Sequence, residues 1–248
     1  GSPITVGVGG LPGIYSIIAI DDSTNCVSFM QDSATLYPDP VAFTIVPDGE
    51  ACEGDEIHLN GSETGVDYVL LLDGAIHLDT ISGTGSTLNF GPQMTEGNYT
   101  IIAISQTSYC IYPMNGTAVF HDSPIQYDVI PAGVLCMGNS IGLTGSQPGI
   151  SYQLILNGTL LVGSPVAGTG APINFGPQNA IGTYTVRGIN DTTNCYSTMN
   201  GSAVLEPFPV PYTVTPPGNH CPGTSIGING SDLNHSYILV FNGVVHLD

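Results

Sequence analysis

Ser151-Tyr152-Gln153-Leu154-Ile155-Leu156-Asn157-Gly158-Thr159-Leu160-Leu161-Val162 reads as a β-hairpin. Two short runs of aliphatic, aromatic and β-branched residues flank Asn157-Gly158. That dipeptide suits a type I′ turn, whose two central residues both need positive φ. The same turn is signalled at Asp73-Gly74 and Asn242-Gly243, with Tyr68, Tyr152 and Tyr237 at one position ahead of it. The hairpin is one part of a repeated unit.

The cysteines set the period. Cys26, Cys52, Cys110, Cys136, Cys195 and Cys221 are separated by 26, 58, 26, 59 and 26 positions, a unit of 84 or 85 residues. Tyr15, Tyr99 and Tyr184 keep that offset, as do Phe90-Gly91-Pro92-Gln93 and Phe175-Gly176-Pro177-Gln178. Ile76-His77-Leu78-Asp79 returns as Val245-His246-Leu247-Asp248. Self-similarity at such a period signals an array of small modules. Gly1 corresponds to Gly85 and Asp248 to Asp79, so the window holds a C-terminal part of a repeat (1–42), two whole repeats (43–126 and 127–211) and an N-terminal part (212–248).

No segment sustains a 3.6-residue period, whereas short strand-like runs bounded by Gly, Pro and Asn recur throughout. In the second whole repeat we expect seven strands. They lie near Tyr127–Ile130, Ser140–Thr144, Ser151–Leu156, Thr159–Val162, Ile173–Phe175, Thr183–Ile189 and Cys195–Leu205. Seven short strands in about 85 residues fit an immunoglobulin-like sandwich. The fold class is therefore all-β: tandem immunoglobulin-like β-sandwich repeats, incomplete at both ends. Gly-x-Tyr at Tyr99 and Tyr184 opens the sixth strand as a tyrosine corner would, although no Trp is present to pack the core.

Composition disfavours several partners. The 248 residues include one basic side chain (Arg187), no Lys and 20 acids, a net charge of −19, so nucleic-acid phosphate and anionic membrane surfaces are poor partners. Only 8% of residues are charged, against about 25% in ordinary soluble domains. Hydrophobic residues make up 42% and demand a packed core. The surface is thus short of charge. Eleven of the acids lie in 43–126 and three in 127–211, so the charge is not a property of every repeat.

Cys-x-Gly before the second strand recurs as Cys52-Glu53-Gly54, Cys136-Met137-Gly138 and Cys221-Pro222-Gly223. With Gly182-Thr183-Tyr184-Thr185-Val186 and the polar turn before Cys195, this pattern resembles tandem immunoglobulin-like repeats of giant secreted bacterial surface proteins. The resemblance covers the whole chain and implies the fold and the setting of Bacteroidota-type adhesins and surface fibres, outside the cell.

Six cysteines in register point to disulfides and an oxidising compartment. A metal site would need Cys-x-x-Cys or neighbouring His, which the spacing lacks. Two connectivities stand: within a repeat, as Cys52–Cys110 and Cys136–Cys195, or between repeats, as Cys52–Cys195. The first cysteine precedes the second strand and the other follows the sixth. Strand alternation places those sites at opposite poles, beyond the roughly 4.4–6.8 Å Cα separation of a disulfide. That favours Cys52–Cys195, a staple stiffening a rod of repeats.

Asn-x-Ser/Thr sequons occur at Asn60, Asn98, Asn115, Asn157, Asn190, Asn200, Asn229 and Asn234, eight where composition gives about three. Asn-Gly turns followed by small polar residues account for several without any sugar. Asp-Ser/Thr triplets at Ser23, Ser33, Thr80 and Thr192 resemble the O-glycosylation sequon of Bacteroidota. Covalent glycans of either linkage would solubilise a surface short of charge.

No catalytic site is expected, and no cofactor or metal. The histidines His58, His77, His121, His220, His235 and His246 never take a His-x-x-x-His spacing. His77 and His246, with Asp79 and Asp248, read as exposed hairpin residues. The acidic cluster Glu50, Glu53, Asp55 and Glu56 reads as a solvated loop, because the middle repeat has no acid there and no calcium-loop spacing is present. There is no Gly-x-Ser-x-Gly elbow, and a phosphate loop would need a Lys. No 18-residue apolar run could span a membrane, and no signal peptide is visible.

The expected function is therefore structural: a segment of an extracellular fibril or adhesin stalk whose partners are copies of itself or neighbouring repeats. Residues 212–248 supply the first four strands of a sandwich and residues 1–42 the last three. Either the polypeptide continues both ways, or one chain's tail is completed by the next chain's head. The alternative is a glycan- or protein-binding immunoglobulin-like adhesion module, which would want an exposed aromatic platform.

Overall fold

A computed structural model of the chain describes residues 2–245. The counterparts placed at Gly1, His246, Leu247 and Asp248 lie outside the described residues. Every described element is a β-strand. The chain divides into two compact units, Gly1–Pro124 with Asn190–Tyr196, and Ile125–Ile189 with Ser197–Asp248.

Within the first unit, one sheet orders the strands Leu88–Pro92, Glu56–Leu59 and Ile45–Val46. The other orders Gly49–Cys52, Ala118–His121, Gly97–Ser105, Val66–Leu72 and Ile76–Ser82, with Ile111–Pro113 also paired to Gly97–Ser105. The core between them includes Ile45, Ile57, Leu59, Tyr68, Leu70, Tyr99, Ile101 and Phe120. Tyr99 and Phe120 meet edge to face, their ring centres 4.9 Å apart. The second unit repeats the pattern: Val129–Ile130, Ser140–Leu143 and Ile173–Pro177 in one sheet, and Gly133–Cys136, Ala203–Glu206, Gly182–Asn190, Ile150–Leu156 and Leu160–Ala167 in the other. Its core includes Val129, Ile141, Leu143, Tyr152, Leu154, Tyr184, Val186 and Leu205. Two packed sheets around one core per repeat make each whole repeat an immunoglobulin-like sandwich.

Each whole repeat has nine strands, not the seven expected. The first expected strand, Tyr127–Ile130, is Val129–Ile130, and Gly133–Cys136 follows it as a strand that was not expected. After Val46 and Ile130 the chain meets Pro47 and Pro131, which have no N–H to give a ladder, and crosses to the other sheet. There Gly49–Cys52 pairs parallel with Ala118–His121, and Gly133–Cys136 with Ala203–Glu206. The last expected strand, Cys195–Leu205, is two, Tyr196–Thr198 and Ala203–Glu206, with Cys195 in the preceding turn. The break falls at Met199-Asn200-Gly201, matched by Met114-Asn115-Gly116. Gly116 has φ +85, and a Cβ there would sit 2.7 Å from Asp48 Oδ1 and 2.9 Å from Ile45 Cγ2, so only glycine fits.

The hairpins form where Asn-Gly and Asp-Gly predict them. Asp73 and Gly74 have φ of 52° and 69°, Asn157 and Gly158 52° and 77°, and Asn242 and Gly243 48° and 81°. In the second unit Gln153, buried on the Ile150–Leu156 strand, donates its amide to Leu154 and Val162 carbonyls at 2.9 and 3.0 Å. It thereby satisfies carbonyls beside a register shift in that hairpin. Tyr99 and Tyr184 close tyrosine corners, donating to the carbonyls of Thr95 and Ala180, each at 2.8 Å. Burial holds both hydroxyls above the usual phenol value.

Candidate assembly surfaces

The six cysteines occupy two kinds of local structure, each built the same way in every copy. The second cysteine of a repeat ends a tight turn: Cys26, Cys110 and Cys195 follow Asn25, Tyr109 and Asn194, with φ of 58°, 58° and 61°. Each turn closes with the same two main-chain bonds, in the last of them Asn190 N–H to Cys195 C=O at 2.8 Å and Asn194 N–H to Asn190 C=O at 2.9 Å. A side-chain oxygen at the first turn position accepts from N–H groups within the turn: Asp21 from Ser23 and Thr24, Ser105 from Thr107 and Ser108, Asn190 from Thr192 and Thr193. The donors of Thr24 and then Ser23 hold the Asp21 carboxyl below its usual range.

The first cysteine sits in a loop whose glycine takes positive φ: Gly54, Gly138 and Gly223, at 92°, 88° and 91°. In the first unit this loop is held by Gly54 N–H to Gln93 C=O at 2.8 Å, Glu53 N–H to His121 C=O at 2.9 Å and Cys52 N–H to Asp55 at 2.8 Å.

Cys195, in the turn that belongs to the first compact unit, is bonded to Cys52, with Cα atoms 5.4 Å apart and 143 positions between them in sequence. This joins the first cysteine of one repeat to the second cysteine of the next. The within-repeat pairing Cys52–Cys110 is not what forms. Cys26, Cys110, Cys136 and Cys221 are free thiols, Cys110 half-buried and the others exposed.

The partial repeats at the two ends hold strand pairs with their apolar faces open. Among residues 2–42, Gly13–Tyr15 pairs with Ala34–Leu36 and Ile18–Ile20 with Val27–Phe29. A groove of about 510 Å³ is lined by Val6, Tyr15, Ile17, Met30, Ala34 and Leu36 among others. One repeat on, these six are Phe90, Tyr99, Ile101, Met114, Ala118 and Phe120, all core residues. Tyr15 is 39% exposed where Tyr99 and Tyr184 are 1%. Its corner is nonetheless made, the hydroxyl donating to Leu11 C=O at 2.8 Å.

At the other end, Val214–Thr215 pairs with Gly227–Ile228 and Val240–Phe241 with Val244–Val245. Ile226 is 61% exposed where Ile57 and Ile141 are 0%. Val214, Tyr237, Leu239 and Phe241 are likewise exposed where their counterparts in both whole repeats are buried. Two positions break the apolar pattern: His220 stands where the whole repeats have Ala51 and Leu135, and His235 where they have Val66 and Ile150.

The remaining candidates are scattered. Asn60, Asn157, Asn190 and Asn229 each accept main-chain N–H bonds through Oδ1, from Thr44, Thr183, Thr192 with Thr193, and Thr213. Their asparagines thus have structural work whether or not Nδ2 carries a sugar. Asn98, Asn115, Asn200 and Asn234 are exposed, as are Ser23, Ser33, Thr80 and Thr192. Sequence reading missed this capping role, which Asp73 also performs at the site equivalent to Asn157, accepting from Asn98 N–H at 2.9 Å.

The acidic cluster disperses into local contacts. Glu50 meets His121, Glu56 meets His58 at 3.3 Å and Asn89 at 3.0 Å, and Asp55 caps the Cys52 loop. His77 is exposed, its Nε2 2.7 Å from the Thr80 hydroxyl. Among the described residues no three His, Cys, Asp or Glu side chains gather into a metal site, and no helix is long and apolar enough to cross a membrane.

No protein-family model matches the sequence, and no curated protein matches it. Among solved structures, an I-band fragment of titin is similar at 12% identity and a TM-score of 0.34, covering 69% of this chain and 66% of the fragment. SGBP-B of the Bacteroides ovatus mixed-linkage glucan utilization locus, in complex with a mixed-linkage heptasaccharide, is similar at 14% identity and a TM-score of 0.25, covering 82% of this chain and 57% of that one. Fibronectin(III)-like modules of Clostridium thermocellum CbhA are similar at 10% identity and a TM-score of 0.30, covering 66% and 94%. The fold rests on the sheets and cores described above, not on these scores.

Proposed function

We propose that this chain is a structural segment of an extracellular fibre or adhesin stalk, of the kind borne by giant surface proteins of Bacteroidota-type bacteria. One observation carries the reading. Positions sealed in both whole repeats are exposed at both ends, and each end holds the strands that the other lacks. Residues 2–42 offer the late strands and 212–245 the early ones, so each partial sandwich is completed by the strands of a neighbouring repeat, whether of the same polypeptide or of another copy. Strand pairing satisfies the open edges, and the two apolar faces close into one core. Repeats joined end to end in this way extend a fibre by repetition.

The setting follows from the cysteines. A Cys52–Cys195 bond persists outside the reducing cytosol. A coat of covalent glycans on the exposed sequons would supply the hydration that so few charges leave wanting.

Light scattering of the full chain over a concentration series tests the reading. We expect an open-ended series of masses that grows with concentration under reducing conditions. A monodisperse, fully folded monomer at all concentrations would overturn it.

A further inference from the structure

We propose that the Cys52–Cys195 disulfide is a strain limiter. It carries tension past both whole repeats, so residues 53–194 lengthen under load only after the bond is reduced. The inference rests on the fibre reading above, since a fibre is what puts the chain under tension.

The chain path sets this. Cys52 and Cys195 lie 143 positions apart, and main chain continues beyond each of them, as residues 1–51 and 196–248. A pull on those two flanks enters at Cys52 and leaves at Cys195 through one S–S bond. Residues 53–194 hang between the two sulfurs as a closed loop and bear none of it. That loop holds every strand from Glu56–Leu59 through Gly182–Asn190. Among the described residues, the buried core positions outside it are Ile45 and Ala51 in the first whole repeat and Met199, Ala203 and Leu205 in the second.

The strand ends agree with the path. Gly49–Cys52 ends on one bonded cysteine, and Tyr196–Thr198 begins one residue after the other. Tension therefore runs along Gly49–Cys52 and straight into the bond. Without the bond the same pull crosses each repeat. Gly49–Cys52 is then drawn from its N-terminal end, and its parallel partner Ala118–His121 from its C-terminal end. Parallel strands drawn in that way slide against each other, and every hydrogen bond of the ladder is loaded together until the pair parts. Gly133–Cys136 and Ala203–Glu206 are placed the same way in the second repeat.

The bond is sheltered at rest. Cys195 is 0% exposed, its Sγ lies 3.7 Å from the Ala51 carbonyl, and Ala51 is itself buried. A reducing thiolate must reach a sulfur, so it meets the bond from Cys52, the half-buried partner. With a dithiol such as dithiothreitol, one thiolate attacks the Cys52 sulfur and the Cys195 thiolate leaves. The second thiol, as its thiolate, attacks the mixed disulfide at the reductant's sulfur, closes the reductant's own disulfide ring and releases the Cys52 thiolate. Two electrons pass from the dithiol to the bond, and its two protons end on Cys52 and Cys195.

The effect on length is large. Drawn out straight, the chain from Cys52 to Cys195 spans about 470–510 Å, against 5.4 Å between the same Cα atoms across the bond. Stretched from end to end, the full 248 residues reach about 820–890 Å with the bond open and about 350–380 Å with it closed. Opening the bond therefore lengthens the extended chain about 2.3-fold.

The test holds the full chain in optical tweezers by peptide tags at its two ends. The free cysteines Cys26, Cys110, Cys136 and Cys221 are changed to Ser so that no other pairing forms. In the oxidised chain, extension should stop near the shorter length. Dithiothreitol added under constant load should then release the loop and carry the chain to the longer one. Cys52→Ser in the same background should reach the longer length with no reductant. An oxidised chain that reaches the longer length, or a stop that dithiothreitol does not remove, would overturn the limiter and leave the fibre reading standing. A stop in a chain that light scattering finds to be a fully folded monomer at all concentrations would overturn the fibre reading instead.

Discussion

One isoleucine position, present three times, separates folding from assembly. Ile57 and Ile141 are 0% exposed in the two whole repeats, and Ile226, their counterpart in the tail, is 61% exposed. Ile57→Ala or Ile141→Ala removes buried methyl groups and leaves a cavity, costing about 2–5 kcal/mol. For a domain of this size each kcal/mol lowers the melting temperature by about 4–8 °C, so a cost near the middle of that range lowers it by about 14–28 °C. Ile226→Ala leaves both whole repeats untouched. Its burial comes only at the junction, where sealing some three-fifths of an isoleucine is worth about 1–2 kcal/mol. The association constant should fall about 5–30-fold, since every 1.4 kcal/mol is tenfold. Calorimetry reads the first effect and sedimentation at graded concentration the second. The reasoning is refuted if Ile226→Ala lowers the melting of the whole repeats as Ile57→Ala does, or if it leaves association unchanged.

Three further outcomes follow from the same geometry. Cys52→Ser opens a link across 143 residues and should lower stability under oxidising conditions by about 2–5 kcal/mol; the variant should melt like the reduced protein, and melting like the oxidised one would contradict the bond. His235→Val restores the residue type of Val66 and Ile150 and should strengthen association about fivefold through about 1 kcal/mol of added apolar burial; weaker association in sedimentation would contradict the composite core. The Ser82 hydroxyl, and next the Gln106 amide, hold the Asp67 carboxyl below its ordinary 3.8. A carboxyl depressed on folding stabilises above its unfolded value and loses that contribution as pH falls through its folded value. Asp67→Asn should therefore flatten the acid limb of the stability profile below about pH 4, and an unchanged limb in acid titration would contradict the assignment.

The sandwich was legible because its signals are local. Asn157-Gly158 fixes a turn through two positive φ angles, and Tyr68, Tyr152, Tyr99 and Tyr184 mark buried strand positions at a constant offset. Gly49–Cys52 was not legible: Gly-Glu-Ala-Cys has no β-branched residue, and its partner, Ala118–His121, lies far along the chain. The split final strand was hidden because Met114-Asn115-Gly116 reads as one more polar break until Gly116 is seen against Ile45 and Asp48. The Cys52–Cys195 bond could be reasoned from strand direction alone. The capping duty of Asn60, Asn157, Asn190 and Asn229 could not, because a sequon and a main-chain acceptor share the same letters. The assembly surfaces were visible in outline from the phase of the repeat, but their openness depends on exposure at Tyr15 and Ile226, which only coordinates report.

Hydrogen exchange of the full chain, compared between dispersed and assembled states under reducing conditions, tests the central claim most directly. The account predicts that amides of Gly13–Ile20 and Ile226–Phe241 exchange freely when dispersed. On assembly they should gain the protection of their counterparts in the whole repeats, such as Gly97–Ile104 and Ile141–Leu156. Polymers whose ends keep exchanging freely would contradict it, because something other than the meeting of head and tail strands would then be holding the copies together.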